Sequence, residues 1–246
     1  MNRLYYWFRF TIRLFKGDDH ARFRLAEKIF NIIYPDYFIG EWGKIYLQNK
    51  VFYKYYCKYD DVNFRSYERK YFLQQLIKLT KNIKGDTVEL GVYFGASSEL
   101  ILQAIGQKEK KHHMFDSWQG ISQPDLEDGT YWEKGSLNSS LFFCKNNLSA
   151  FKENIKIFYE GWIPDTFQNI SDDLSISFVH FDLDLHQPTK DGLCFLNDKL
   201  SSGGIMLFDD YTFTSCPGVK KAVDDFFADK EEEVIETPFS AFIIKV

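Results

Sequence analysis

The sequence has few cysteines, no excess of basic residues and no long apolar run. Its four cysteines form no CxxC pair, so neither a zinc cluster nor a disulfide framework is expected, and a reducing cytoplasm fits this usage. The formal net charge of −5 argues against general nucleic-acid binding, because proteins of that class usually carry a basic face. The dinucleotide fingerprint GxGxxG is also missing, which disfavours NAD as a ligand.

The chain does contain enough apolar material for a full core. Hydrophobic residues make up 45% of its 246 residues, and aromatic residues alone make up 18%. A chain of this length and composition most simply forms one domain with an appended segment. We assign residues 61–246 to the domain. Residues 1–60 are rich in aromatic side chains and irregular in periodicity, and we interpret them as a helical extension or lid.

The first sixteen residues predict an amphipathic basic helix. One face is apolar and consists of Leu4, Phe8, Ile12 and Phe15. Another face is basic and consists of Arg9, Arg13 and Lys16. Arginines interrupt the apolar stretch and no small-residue cleavage site follows, so neither a transmembrane segment nor a signal peptide is predicted. The helix either lies in a membrane interface, at the inner face of the membrane, or packs on its own domain or on a second subunit. The aromatic extension favours a homo-oligomer, most simply a dimer.

From residue 67 onward strands and helices alternate, which predicts an α/β fold with a mainly parallel central sheet flanked by helices. Helices are expected over 67–79, after the glycine turn at 91–98, and from Pro188 to about Leu200, where Gly203 and Gly204 end the connection to the next strand. Strands are expected at 87–90, 113–115, 155–159, 176–181, 205–208 and 241–244.

A glycine turn joins the first strand to the second helix. Gly91 and Gly95 permit a close approach of the backbone to a ligand, and Ser97 or Ser98 is expected to cap the helix that follows. Helix N-termini favour anionic groups. Asp116 ends the next strand, where an acid can accept hydrogen bonds from ribose hydroxyls. The sequence therefore predicts a ligand site at this turn.

Two pairs of aspartates each follow an apolar run and predict a divalent-metal site. Asp182 and Asp184 close one strand, and Asp209 and Asp210 close the next. Ligands gather beyond the carboxyl ends of strands in an open α/β sheet, and carboxylate oxygens suit Mg²⁺ or a similar cation. Strand alternation places residues 182 and 184 on the same side, where both could reach the metal. Between these sites, residues 122–150 show poor periodicity and are interpreted as a flexible cover of the active site.

These motifs together resemble the macrocin O-methyltransferase (TylF-like) family of class I S-adenosylmethionine enzymes. The resemblance covers roughly residues 61–246 and is carried by VELGVYFGASS, FDSWQG, EGWIPDTF, HFDLDLHQPT, and GGIMLFDDY followed by GVKKAVDDFF. It implies a Rossmann-like fold and methylation of a sugar hydroxyl with bound Mg²⁺. One departure is visible, because the family usually has tyrosine where His186 stands.

The resemblance also implies roles for individual residues. Glu89 is expected to hold the methionine ammonium of the cofactor, the turn its carboxylate, Asp116 its ribose, and Gly161 with Trp162 its adenine. The expected cofactor-binding set is Glu89, Gly91, Tyr93, Gly95, Ala96, Ser97, Ser98, Asp116, Ser117, Gly161, Trp162 and Asp182. The expected metal ligands are Asp182, Asp209 and Asp210, with Asp184 as the catalytic base. The expected substrate contacts are Tyr131, Trp132, His186 and Tyr211.

Three questions stay open at this level. The sugar acceptor is expected on a bacterial surface glycan or its precursor, given the basic N-terminal helix, or alternatively on a nucleotide sugar or a glycosylated natural product. Asp182-Leu183-Asp184 is also a DxD, by which many glycosyltransferases hold a metal and a nucleotide-sugar diphosphate. A third possibility is a non-catalytic scaffold attached to a membrane, which the intact set of acids disfavours.

Overall fold

The computed structural model describes residues 3–35, 45–62, 67–106 and 110–246. They belong to two compact units, Met1–Lys54 and Tyr55–Val246. We expected the boundary after residue 60, and the division between the units falls a few residues earlier.

The first unit begins with two helices, α1 (Arg3–Phe15) and α2 (Asp19–Ile33). Asp18 caps α2, since its side chain accepts a hydrogen bond from the Ala21 backbone at 2.9 Å, and it also pairs with Arg13 at 2.9 Å. Lys28 of α2 lies over the Trp7 ring of α1, 4.0 Å from its centroid. The predicted N-terminal helical extension is therefore present. Of the helices that the structure describes, none has the length and apolar character needed to cross a bilayer.

The second unit is built on a seven-stranded sheet with the order β3-β2-β1-β4-β5-β7-β6. The first five strands pair in parallel, and β7 runs antiparallel to both β5 and β6. The strands are β1 (Asp86–Leu90), β2 (His112–Asp116), β3 (Lys156–Glu160), β4 (Ile176–Phe181), β5 (Leu200–Phe208), β6 (Ile235–Glu236) and β7 (Ala241–Ile244). The predicted mainly parallel sheet is thus confirmed.

Helices connect the strands of this unit. Helix α3 spans the division between the units, and α4 ends in a 3-10 turn at Ile77–Thr80. The helices are α3 (Lys50–Lys58), α4 (Tyr67–Leu76), α5 (Ala96–Ile105), α6 (Leu141–Asn147), α7 (His186–Leu196) and α8 (Pro217–Phe227).

One strand boundary differs from the prediction. Gly203 and Gly204 lie inside β5, which begins at Leu200 and not after the glycines. Their backbone groups are paired with the chain terminus, since Gly203 donates to the Lys245 carbonyl and Lys245 donates to the Gly204 carbonyl, both at 2.8 Å. Backbone pairing with a distant segment keeps these flexible residues in the strand, which local propensity does not reveal.

The two faces of the sheet differ in chemistry because side chains alternate along each strand. One face is apolar and forms the main core with α7 and α8, through residues that include Val88, Leu90, Val179, Phe181, Met206 and Phe208. On the other face of β1, Glu89 lies beside polar residues of both neighbouring strands. Glu89 is the register partner of His180, and Thr87 is that of His112. The sheet therefore carries a buried polar layer that leads towards its carboxyl edge.

Candidate active site

A cavity of about 430 Å³ opens at the carboxyl ends of the parallel strands. It lies where the strand order reverses between β1 and β4, the position at which α/β sheets usually bind ligands. Its size is typical of a small-molecule site. The wall contains most of the predicted site residues, namely Gly91, Tyr93, Ala96, Ser97, Asp116, Ser117, Tyr131, Trp132, Gly161, Trp162, Asp182, Asp184 and Asp210.

Six predicted site residues are not part of that wall. Among the described residues that line the cavity, the following do not occur: Glu89, Gly95, Ser98, His186, Asp209 and Tyr211. Gly95 and Asp209 are chain neighbours of wall residues, whereas Tyr211 is buried and its hydroxyl donates to Asp224 at 2.6 Å. The structure thus brings the two halves of the predicted site together but places several of their members behind the surface.

The glycine turn is held tightly against the end of β4. Gly91 has a φ of +83°, and a Cβ at this position would lie 1.8 Å from the carbonyl oxygen of Asp182. Only glycine fits such a contact. Tyr93 also has a positive φ, 54°, and Asp116 accepts hydrogen bonds from the backbone of Val92 and Tyr93, both at 2.8 Å. The turn is therefore fixed in shape by β2 and β4.

Asp116 lies on the cavity wall, as expected, but its carboxylate already accepts hydrogen bonds from backbone N–H groups. Besides the two bonds to the turn, it accepts the Trp118 N–H at 2.6 Å. Burial raises the pKa of Asp116, and the three backbone donors oppose that rise. Its assignment to a ribose stays a prediction, and the carboxylate has lone pairs left for it.

The serines of the turn do not cap helix α5, contrary to the expectation from the sequence. The cap position is Gly95, in the left-handed region, with no side-chain hydrogen bond. Ser97 instead accepts a hydrogen bond from the Lys70 ammonium at 2.6 Å, and Ser98 donates to Glu89. Both serines are buried, so they satisfy buried charged groups nearby and leave the first amides of the helix open to a ligand.

Glu89 lies in the interior of the sheet. It is fully buried, and its carboxylate accepts hydrogen bonds from His112 at 3.2 Å, from His180 at 3.1 Å and from Ser98. Burial acts to raise the pKa of Glu89, but His112 and His180 together lower it to about 2. Burial likewise disfavours the charged form of His180, while Asp209 and Glu89 raise its pKa to about 9. The expected contact between Glu89 and the cofactor ammonium stays a prediction, since the carboxylate already has three protein donors.

The acid pairs meet at the edge of the cavity, in a geometry that strand alternation does not describe. Strand β4 ends at Phe181, and Asp184 has a φ of 60°, so residues 182 and 184 are not successive members of one strand face. Aspartate tolerates this left-handed conformation better than most residues, and such strain is common at functional sites. One group of potential ligand atoms joins His180, Asp182 and Asp209, and another joins Asp184, Asp210 and Cys216.

Two cations from helix α4 contact these acids, and the sequence patterns gave no role to either. Arg69 lies 2.9 Å from Asp209 and 3.4 Å from Asp210, and Lys70 lies 3.6 Å from Asp182 and 3.7 Å from Asp209. Burial acts to raise the pKa of Asp209, but Arg69, Lys70 and His180 hold it far below its usual range. The adjacent basic pair near the start of α4 was the available signal.

The remaining negative charge fits a divalent cation. Burial and the neighbouring Asp182 raise the pKa of Asp184 to about 7, and burial with Asp184 and Asp182 raises that of Asp210. The four carboxyl groups outnumber the two cations Arg69 and Lys70, so their full ionisation would leave an excess of negative charge. A hard cation such as Mg²⁺ prefers this type of oxygen donor. The three predicted metal ligands do not fall into one group. Asp182 and Asp209 lie in the first group of potential ligand atoms, whereas Asp210 lies in the second, with Asp184.

The cover segment reaches the cavity and is tied to it at several points. Trp132 and Tyr131 line the wall, and the Trp132 indole donates to the Cys216 sulfur at 3.3 Å. His186 does not line the cavity; its backbone N–H donates to Asp128 at 2.6 Å and its ring lies 3.2 Å from Asp125. His186 thus joins the cover to the start of α7, which leaves its expected substrate contact a prediction.

The sheet order, the glycine turn and the carboxyl-edge cavity define a class I methyltransferase fold. Solved structures support this class: the O-methyltransferase NovP shares 26% identity at a TM-score of 0.62, over 73% of this chain and 80% of that chain. The calicheamicin methyltransferase CalS11, at 18% identity and a TM-score of 0.66, shows the same fold over 84% of this chain and 94% of that chain.

Residues 68–242 match the sequence profile of the family described as Macrocin-O-methyltransferase (TylF). The chain belongs to this family, and the resemblance inferred from its motifs is confirmed. Demethyldecarbamoylnovobiocin O-methyltransferase of Streptomyces niveus is 33% identical over 162 residues, and mycinamicin III 3''-O-methyltransferase of Micromonospora griseorubida is 26% identical over 163. The matched part is 60% of this chain and 60 to 62% of those two proteins.

Proposed function

We propose that the chain transfers the methyl group of S-adenosylmethionine to a sugar hydroxyl. The observation that carries this proposal is the single cavity shared by the glycine turn and the acid pairs. Class I methyltransferase ligands enter at the carboxyl edge of the sheet, and this cavity offers a cofactor half and a polar acceptor half side by side. Membership of a methyltransferase family supports the same reaction.

The cofactor half consists of the turn and the ends of β2 and β3. Gly91, Tyr93, Ala96 and Ser97 would supply backbone and helix N-terminal amides for the methionine portion. Asp116 and Ser117 would border the ribose, and Gly161 and Trp162 the adenine. Residues placed in this way would hold the cofactor with its methyl group towards the acids. Methyl transfer is an in-line displacement, so alignment of the reacting atoms supplies much of the catalysis.

Asp184 is the base in this proposal. The acceptor oxygen forms a bond to the methyl carbon, the carbon–sulfur bond breaks with its electron pair on sulfur, and the hydroxyl proton moves to Asp184. A pKa near 7 suits a carboxylate that must be ionised before the reaction and protonated after it. Tyr131 and Trp132 exclude water from the reacting atoms.

Asp182, Asp209 and Asp210 would hold a divalent cation. When bound, the cation would lower the pKa of the acceptor hydroxyl. The chain's own contribution is the arrangement of these acids. Arg69 and His180 lie 2.9 Å and 3.7 Å from the Asp209 carboxylate. The Asp184 backbone N–H donates to Asp210 at 3.2 Å. Conversion of Asp210 to asparagine removes one anionic oxygen and is expected to weaken metal binding.

For the acceptor we propose a sugar on a small molecule in preference to a surface glycan. The relatives' names refer to novobiocin, to a rhamnosyl tetracenomycin C and to mycinamicin III, which are small molecules. This favours the alternative of natural-product glycosides over the surface glycan that the basic N-terminus suggested. A nucleotide sugar stays an option, because a structural relative of the same fold is a TDP-rhamnose 3'-O-methyltransferase.

The experiment is methyl transfer from labelled S-adenosylmethionine to three acceptor types. A glycosylated small molecule with free sugar hydroxyls, a nucleotide deoxysugar and a purified bacterial polysaccharide are each incubated with enzyme and Mg²⁺. Label in either small acceptor supports the proposal, and label in the polysaccharide alone restores the surface-glycan alternative. Calorimetry with S-adenosylhomocysteine and with a uridine diphosphate sugar separates methyl transfer from the DxD glycosyltransferase alternative.

We also propose that the first unit contacts an anionic membrane surface. In α1, Phe8 is 65% exposed and Phe15 is 90% exposed, and Ile12 lies between them on the same face. Arg9 lies on an adjacent face of the same helix, and Lys16 directly follows its last residue. A helix with exposed aromatic side chains beside basic ones matches an interface of anionic lipids.

Vesicle sedimentation tests this contact. The protein is expected to sediment with phosphatidylglycerol vesicles and not with phosphatidylcholine vesicles, and the double substitution F8S/F15S is expected to abolish sedimentation. The double substitution L126S/F142S serves as the control, because both side chains are exposed outside α1. Equal sedimentation of both variants would contradict the contact, and the predicted homo-oligomer would then be checked by light scattering.

A further inference from the structure

Lys70 is a buried cation whose surroundings connect the two halves of the cavity. It is 5% exposed, lines the cavity wall and donates to the Ser97 hydroxyl at 2.6 Å. Its ammonium also lies 3.6 Å from Asp182 and 3.7 Å from Asp209. A buried lysine is rare unless its charge is compensated. Lys70 has one neutral partner on the cofactor side and two acids beyond hydrogen-bond distance on the other side.

The chemistry of the cofactor limits what can approach this ammonium. S-adenosylmethionine has a positive sulfonium, a positive ammonium and one negative group, the methionine carboxylate. Lys70 repels the first two and attracts the third. Ser97 belongs to the first turn of α5, whose open amides also favour an anion. A methionine portion bound here would therefore turn its carboxylate, and not its ammonium, towards helix α4.

We propose that Lys70 and Ser97 bind the carboxylate of the cofactor, and that Lys70 thereby couples cofactor binding to metal binding. The inference rests on the proposed function. Without cofactor, the charge of Lys70 repels a divalent cation from Asp182 and Asp209. A bound carboxylate neutralises that charge, so the acids attract the cation more strongly. Coupling of this kind is reciprocal, and bound metal strengthens cofactor binding by the same factor.

Arg69 does not share this role. It pairs with Asp209 at 2.9 Å and Asp210 at 3.4 Å, and its guanidinium lies over the Phe213 ring at 4.7 Å. The partners of Arg69 are thus two acids and an aromatic ring, whereas Lys70 contacts Ser97. Substitution of Lys70 is expected to change the recognition of the cofactor carboxylate and to leave the support of Asp210 in place.

Calorimetry with two ligands and three variants tests the first half of the proposal. The ligands are S-adenosylhomocysteine and its decarboxylated analogue, and the variants are Lys70→Met, Lys70→Arg and the surface control Lys199→Met. Lys70→Met is expected to weaken binding of S-adenosylhomocysteine about tenfold or more, the usual effect of one charge-assisted hydrogen bond, and to leave the analogue unaffected. Lys70→Arg keeps the charge and is expected to retain most of the preference for the carboxylate.

Titration with Mn²⁺ as the metal probe tests the coupling. Wild-type protein is expected to bind the metal more tightly when saturated with S-adenosylhomocysteine. Lys70→Met is expected to bind the metal more tightly than wild type without ligand, and equally with and without it. Structural damage would instead weaken metal binding, so the sign of the change separates the two causes, and thermal unfolding confirms that each variant is folded.

Several results would overturn the inference. If wild type binds S-adenosylhomocysteine and Lys70→Met binds it equally well, Lys70 does not contact the carboxylate. If Lys70→Met loses affinity equally for both ligands, Lys70 has only a structural role. Metal affinity that does not depend on the ligand in wild type contradicts the coupling. Failure of wild type to bind S-adenosylhomocysteine at all would overturn the proposed function itself and this inference with it.

Discussion

Replacement of Glu89 by glutamine separates what the family resemblance implies from what the tertiary structure shows. The resemblance assigns Glu89 to the cofactor ammonium, whereas the structure buries it completely among His112, His180 and Ser98. If Glu89 contacts the ligand, its replacement by glutamine lowers the affinity for the ligand. If Glu89 only binds the two histidines, the replacement lowers the free energy of unfolding, because a buried imidazolium loses its counterion.

The size of the effect follows from the pKa. Lowering the pKa of Glu89 from 4.5 to about 2 corresponds to roughly 3 kcal/mol of stabilisation, at about 1.4 kcal/mol per pKa unit. Removal of one partner of a buried ion pair usually costs about 3 to 5 kcal/mol, which agrees with this magnitude. We therefore expect Glu89→Gln to lower the free energy of unfolding by roughly 3 kcal/mol at pH 6. Glu231→Gln, at an exposed position, is expected to change it by less than about 1 kcal/mol.

The pH dependence has a definite sign on each side. The pKa of Glu89 is lowered, so its contribution is present above about pH 4.5 and is lost as the pH falls towards 2. The pKa of His180 is raised, so its contribution is present below about pH 6.5 and is lost as the pH rises through 9. The stability difference between wild type and Glu89→Gln should be largest between these limits.

Urea denaturation followed by tryptophan fluorescence, at several pH values, measures the difference. Calorimetry with S-adenosylhomocysteine on the folded variant measures its affinity. A variant as stable as wild type but at least tenfold weaker in ligand binding would refute the interior role of Glu89 and support the direct contact instead.

Three further predictions concern the cavity. Gly91→Ala is expected to lower the free energy of unfolding by at least about 3 kcal/mol, because its Cβ would lie 1.8 Å from the Asp182 carbonyl oxygen at a positive φ. Gly106→Ala meets no atom within 4 Å, so only the backbone conformation opposes it, and it is expected to cost less in the same urea titration. Asp184→Asn is expected to keep its affinity for the cofactor and to lose about two orders of magnitude in kcat. Excess Mg²⁺ should partly restore the activity of Asp182→Asn. If excess Mg²⁺ restores the Asp184 variant instead, the two residues have the opposite roles. Trp132→Ala is expected to raise KM for the acceptor with an unchanged Kd for S-adenosylhomocysteine, and a weaker Kd alone would place Trp132 on the cofactor.

Local pattern in the sequence was sufficient to locate the five parallel strands, although not to find where β5 begins. Continuous apolar runs such as Ile176–Phe181 predicted buried parallel strands, and the structure has β4 at those bounds. The glycine turn was visible because a positive φ and a close backbone contact require a residue without Cβ, as Gly91 shows. The aspartates were visible because acids directly after buried strands are unusual. Each of these signals depends on a few neighbouring residues, so each can be found without knowing the fold.

Contacts between distant segments were decided only by the tertiary structure. Nothing in the sequence near Ser97 indicates that its hydroxyl accepts a hydrogen bond from Lys70. Nothing near Asp209 indicates that its carboxylate forms an ion pair with Arg69. Glu89 matches the family motif, yet sheet register places it opposite His180 and diagonal to His112. The sequence determined which chemical groups reach the carboxyl edge of the sheet. The packing of α4 and the register of β1, β2 and β4 decided which groups face the cavity, because partners in a buried network are set by spatial proximity and not by spacing along the chain.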